Sequence, residues 1–355
     1  MGNSGMTALQ PQPFSRLALL VRNPTTIQRA GLLFMTLFIL AFMQAAYPGY
    51  VSAANMEVLA MNMVFEAIIA VGMTFVIISG GIDLSVAAVF AFAEILVAKL
   101  MVQAGLPIGA AIPITLVACG MIGLANGLLI NLLRVHPLIV TLATLLTMRG
   151  VNLSISSGKS IAGFDDAFLF LGQGKLVGVP LPIWALVILT AGLGFLLRNH
   201  RSFRQVYFVG SDERAARLSG VNVERVKLVV YTASAMLAGF AGVLAASRYG
   251  AAHWGHGNMA ELKAIAAVAI GGANINGGSG SLGGTLLGIL FLATVHNAFV
   301  TSAVNTFLYD VVNGGMLLVA ILLSRYFEAR SNVKILSIRQ KKISNRKAIL
   351  TGVRT

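Results

Sequence analysis

The chain has 355 residues, of which 57% are hydrophobic and only 11% charged, and its mean hydropathy is +0.84. A water-soluble domain of this length would carry far more charge, so soluble classes are excluded and a polytopic membrane protein is read instead. The net charge of +14 does not call for nucleic acid, because the basic residues gather between apolar runs and at the two ends.

Runs of about 20 apolar residues cross a bilayer core, and such runs recur from Gly31 to Tyr326. They predict an all-α fold of ten transmembrane helices, near 30–47, 57–79, 86–102, 106–133, 137–156, 181–198, 226–247, 260–273, 281–303 and 306–324. Residues 1–29 form a polar lead with Arg16, Arg22 and Arg29, and favour an uncleaved first span over a signal peptide. Residues 30–325 make the membrane domain, and 326–355 a basic tail. Placing both termini in the cytoplasm puts twenty of the 26 Lys and Arg inside. Pro107, Pro113, Pro137 and Pro182 stand at or near the starts of spans, where a missing N–H is tolerated.

Taken along the chain, the polar positions at membrane depth are Glu66, Glu94, Arg149, His296 and Asp310. Glu66 and Glu94 suit a lining for a polar solute, but a packed, hydrogen-bonded interhelical pair is the expectation. Arg149 and Asp310 both fall toward the outer side, where pairing between them is permitted. Gly80-Gly81 precedes Asp83 and Ser85, which cap the third span or serve a gate. Cys119 is the lone cysteine, so no internal disulfide or cysteine-rich metal site forms.

The outer loop 157–180 shows little periodicity. The inner loop 199–225 holds "GSDERAARLSGVNVERVK", where Asp212 caps a short helix of Glu213, Arg214, Ala215, Ala216, Arg217 and Leu218 that stops at Gly220. A short charged helix of this kind suits docking onto a soluble partner, or is an ordinary solvated loop. His253 and His256 flank Trp254 in an outer loop that lacks a third metal ligand, and a plain surface loop or docking of a binding protein is expected there.

The run "GGANINGGSGSLGGT" at 271–285 resembles a phosphate loop only in its glycines. No lysine lies between Lys263 and Lys334, and Gly158-Lys159-Ser160 has Leu153 where a P-loop needs its first glycine. Gly271, Gly272, Asn274 and Asn276 loosely echo the 80–85 segment, and Asn297 echoes Asn126. Paired glycine-interrupted segments mark a helix break beside a transport pathway, because free backbone is tolerated only against protein or a watered cavity.

Four stretches, "VIISGGIDLSVAAVFAF", "HPLIVTLATLLTMRG", "GSDERAARLSGVNVERVK" and "AIAAVAIGGANINGGSGSLGGTLLG", resemble in order the permease subunits of bacterial ABC importers for monosaccharides. The resemblance runs over about 55–325, with Ala87 where that family usually has glycine. It implies a permease fold related to vitamin-B12-type importers in the cell inner membrane, a second permease chain, cytoplasmic ABC ATPase subunits and a periplasmic sugar-binding protein. It places the ATPase-coupling segment at Asp212–Leu218, and implies no cofactor or catalytic centre in this chain. It does not pick out the sugar. Against it stand an ion-coupled secondary transporter, for which Glu66, Glu94 and His296 would serve, and a membrane enzyme, for which no constellation is spaced.

Overall fold

The computed structural model describes residues 24–303 and single helical positions between 308 and 322. The first helices are α1 (Pro24–Ala46), α2 (Ala53–Ile78), α3 (Val86–Ala98, extended by a π-helical turn at Lys99–Gln103), α4 (Ile108–Leu133) and α5 (Pro137–Ser156). An outer region follows, with β1 (Ile161–Ala162), α6 (Asp166–Gln173), β2 (Lys175–Leu176) and β3 (Val179–Pro180). Then come α7 (Leu181–Asn199), α8 (Arg201–Ser211), α9 (Glu213–Leu218), α10 (Val223–Tyr249), β4 (Ala251–Ala252), α11 (Ala260–Ile270) and α12 (Leu282–Thr301).

Eight of the described helices are long and apolar enough to cross a bilayer. The expected eighth span is a correction: only the eleven residues of α11 are helical there. At 1.5 Å per residue that is about 16 Å, roughly half of a hydrocarbon core. The segment above it, 253–259, is unwound and ends at Met259 in the left-handed region (φ 64°). The expected tenth span, with Asp310, lies outside the described residues apart from single helical positions. Pro113 is another departure, lying within α4.

The centre of the bundle is α2, α3 and α10, with α10 packed along α2, α3 and α4, and α12 packed on α2 and α11. Between apolar helices in lipid, close packing does the work that water does in soluble cores. Gly123 shows how: a Cβ there would land on the Tyr231 carbonyl and the Ala235 methyl, so α4 and α10 meet backbone to backbone. At the periphery α1 turns Phe34, Phe38 and Phe42 outward as a stack, as a lipid-facing helix does.

Connections sort onto two sides. Residues 79–85, 200–222 and 271–281 meet on the side expected to be inner, and β1 pairs antiparallel with β4 on the opposite side, Ile161 facing Ala252. The outer loop 157–180 is more ordered than its sequence implied. Asp165 caps α6 by accepting from the Phe168 amide (3.0 Å), and the fully buried Phe168 offers its carbonyl to the Ser247 hydroxyl (2.5 Å). The inner loop likewise holds α8, an extra helix whose Tyr207 hydroxyl donates to the Gly280 carbonyl (3.1 Å).

Candidate translocation site

The unwound segment 253–259 runs down the face of α3 and is fastened there by acid–base pairs. Glu94, fully buried on α3, has its Oε2 2.7 Å from His256 Nδ1 and also accepts the His253 amide at 3.3 Å. The Tyr249 ring lies 5.1 Å and the His253 ring 5.3 Å from the His256 ring. Gly257 is pressed so closely on Phe90 and the Ala87 carbonyl that a side chain would not fit.

Two further pairs hold α11. Lys263 donates to Glu66 Oε1 of α2 at 2.8 Å. Arg149 of α5 donates to Asn258 Oδ1 at 2.9 Å and stands 3.5 Å from Glu261 Oε1 in the first turn of α11. Glu66 and Glu94 are thus each in a hydrogen-bonded pair between elements, with basic partners and not with each other. Arg149 is paired with Asn258 and Glu261, and Asp310, with which pairing was permitted, lies outside the described residues. The His253–His256 stretch is no free outer loop, and the groups that sequence reasoning missed here are Asn258, Glu261 and Lys263. An acid–base signal was present in Glu261 and Lys263 and absent from the neutral Asn258, and nothing local to the chain said which groups would meet. No cluster among the described residues could hold a metal ion.

Between this segment, α3 and α5 lies a cavity of about 210 Å³, lined by Ala87, Ala88, Ala91, Arg149, Trp254, His256 and Asn258 among others. Broken helices at half depth with converging polar groups are how transporters build a solute pathway. Such backbone is permitted only against protein or water.

The glycine motifs gather below, on the side expected to be inner. Gly278 donates its amide to the Ile78 carbonyl (2.9 Å), and Gly277 packs on Gly80 and Gly210 with no space for a Cβ. Gly210 of α8 is itself pressed on the Ile78 carbonyl. Gly271 abuts Gly284 in the same backbone-to-backbone manner, Gly272 takes φ +92°, and Gln28 of α1 donates to the Ile270 carbonyl (3.1 Å) at the end of α11. Asn274 shapes the turn by accepting the Asn276 amide (2.9 Å).

Asp83 and Ser85 form a buried relay with Asn126 and Thr144. Thr144 donates to Asn126 Oδ1 (2.5 Å), Asn126 to the Ser85 hydroxyl (2.9 Å), and Ser85 to Asp83 Oδ1 (2.5 Å). Asp83 Oδ1 also accepts the Ser85 amide (3.0 Å) just ahead of α3, so this carboxylate closes the turn into that helix. Gly81 has the Tyr231 hydroxyl against it. Asn297 stands apart, in a reciprocal amide pair with Asn55 (3.1 Å), while its neighbour His296 is half-buried on α12.

α9 projects from the same side as the glycine motifs. Asp212 Oδ1 accepts the amides of Arg214 (2.8 Å) and Ala215 (3.0 Å), and Gly220 ends the turn at φ +81°. Ala216 is its buried anchor, while Leu218 is 90% exposed. Ion pairs Arg217–Glu224 and Lys227–Glu213 tie the helix to α10.

Residues 55–321 match the family described as branched-chain amino acid transport system / permease component. The chain is 37% identical to the ribose import permease protein RbsC of Bacillus subtilis (strain 168), over 82% of this chain and 91% of that protein. It is 34% identical to the L-arabinose ABC transporter permease protein AraH of Azospirillum brasilense, over 84% and 88%. It is 34% identical to the D-allose transport system permease protein AlsC of Escherichia coli (strain K12), over 82% and 90%. No solved structure matches the chain.

Proposed function

The chain belongs to the family of branched-chain amino acid transport system permease components, and from that membership we propose that it is the membrane subunit of an ATP-driven importer for a monosaccharide. The observation that carries this reading is the similarity to ribose, arabinose and allose permeases over four-fifths of the chain. The half-helix α11 and the polar cavity above it supply the pathway, and no bond-making chemistry is assigned to the chain. ATP is hydrolysed by cytoplasmic ATPase subunits, a periplasmic sugar-binding protein delivers solute to the outer face, and a second permease chain completes the conduit in the bacterial inner membrane.

In this reading α9 is the coupling segment. Its fixed seat on α10 and its outward Leu218 let it enter a cleft on the ATPase, and the polar recess of about 430 Å³ beside it, bordered by Arg134, Glu213, Arg217, Glu224 and Lys227, surrounds that contact with charge. Arg217→Glu and Leu218→Asp should each strip the ATPase from membranes while the permease still inserts, as read by co-sedimentation and immunoblot. Full ATPase retention together with normal uptake would remove the docking role.

The part-buried Glu94–His256 and Glu66–Lys263 pairs would also suit an ion-coupled carrier. The purified chain, reconstituted alone with an imposed ion gradient, is expected to take up no sugar. Gradient-driven uptake without ATPase subunits would establish that second reading in place of the first.

A further inference from the structure

We propose that the cavity of about 210 Å³ between α3, α5 and the unwound segment is the place where one uncharged monosaccharide ring is held in passage, with the Trp254 indole as its stacking face and Arg149, Asn258 and His256 as its hydrogen-bonding wall. This rests on the sugar-importer reading and adds the site, its recognition groups and its selectivity.

The first argument concerns water. The Arg149 side chain is 42% exposed and Trp254 38% exposed, on elements that lie within the span of α5 and α3. A half-exposed guanidinium does not face hydrocarbon. The surface it occupies is therefore part of a wet conduit, and the cavity opens onto it.

The second concerns shape. The floor is made of alanines, Ala87, Ala88 and Ala91, so nothing projects into the space. Its volume is below the roughly 300–1,000 Å³ of pockets for drug-sized ligands, which suits a single small ring. An aromatic face offers apolar contact to the C–H face of a sugar, while arginine, asparagine amide and imidazole together give and accept hydrogen bonds in several directions.

The third concerns charge. Arg149 already stands beside Glu261, and His256 beside Glu94. The N-terminal dipole of α11 is likewise answered by Glu261 in its first turn. No charge is left uncompensated for an incoming ion, and a zwitterionic amino acid would have to break pairs already made in order to be held. Hydroxyl groups can bind at the edges of those pairs without displacing them. The site thus favours a neutral polyol over the branched-chain amino acids in the family's description.

The chain has two tryptophans, which makes the test direct. Trp184 donates to the Leu176 carbonyl in the outer region and does not line the cavity, so Trp184→Phe leaves Trp254 as sole reporter. The full-length Trp184→Phe chain in lipid nanodiscs is titrated with D-ribose, L-arabinose, D-allose and, as the charged comparison, L-leucine. A saturable change in Trp254 emission with at least one sugar and none with leucine is expected, weakened about tenfold by Asn258→Ala, the scale of one lost hydrogen bond. In cells carrying the companion subunits, Trp254→Ala should cut uptake of that sugar about tenfold, the scale of a lost aromatic contact, and Trp254→Phe should retain most of it.

Absence of any saturable sugar response, or undiminished uptake by Trp254→Ala, overturns the site even if the wild-type assembly imports sugar normally, and then the importer reading stands. A wild-type assembly that imports L-leucine and none of the sugars overturns the reading beneath it, and the site with it.

Discussion

At the scale of single residues, the decisive feature is that Glu66, Glu94 and Arg149 each meet an ionisable partner on another element. His256 illustrates the consequence, since its ring meets Glu94 across 162 residues of chain at 2.7 Å. His256→Ala should lower the apparent melting temperature of the purified chain by several degrees, and the same substitution in a Glu94→Gln background should cost clearly less. Equal losses in the two backgrounds would show that the pair does not fasten the unwound segment.

At the scale of elements, α11 is the piece whose behaviour departs most from an ordinary span. It is a half-helix held by side chains, with Lys263 on Glu66, Arg149 on Glu261 and Gln28 on its last carbonyl. Removing one member of a part-buried pair strands its partner's charge, whereas removing both relieves it. Lys263→Met should lower thermal stability in detergent by several degrees, and adding Glu66→Gln should recover a good part of the loss. A double variant no better than the single one would mean that the two side chains act independently.

The cap of α9 at Asp212 and its stop at Gly220 were legible in the sequence, because capping is written within a few neighbouring residues. Asp83 and Ser85, read as a cap of the third span, bond to each other just ahead of α3, and no side chain caps the helix itself. The Glu94–His256 pair was not legible, since 162 residues separate its members and only the packing of α3 against the returning segment brings them together. The run 260–273 is shorter than its neighbours and closes on Gly271 and Gly272, yet it was read as a full span, and the unwound segment above α11 reads like any outer loop. α6 escaped notice because eight residues are too few to display a helical period.

At the scale of the whole molecule, the two sides of the protein are joined by a bundle whose only cysteine, Cys119, is buried, which makes accessibility mapping clean. In a Cys119→Ser background, Ser160→Cys and Leu218→Cys should react with a membrane-impermeant maleimide from opposite faces, with Leu218→Cys labelled only in inside-out vesicles. Labelling of both from one side would break the arrangement in which β1 and α9 lie across the membrane from each other. The junction of Gly80, Gly210 and Gly277 gives that arrangement a mechanical character. These three chain segments bear on one another through peptide groups, with no flexible side chains between them to take up slack. α8 carries Gly210 and leads directly into α9. In the proposed importer, any displacement of α9 by an ATPase would therefore bear through bare backbone on the segments that open into α3 and α12.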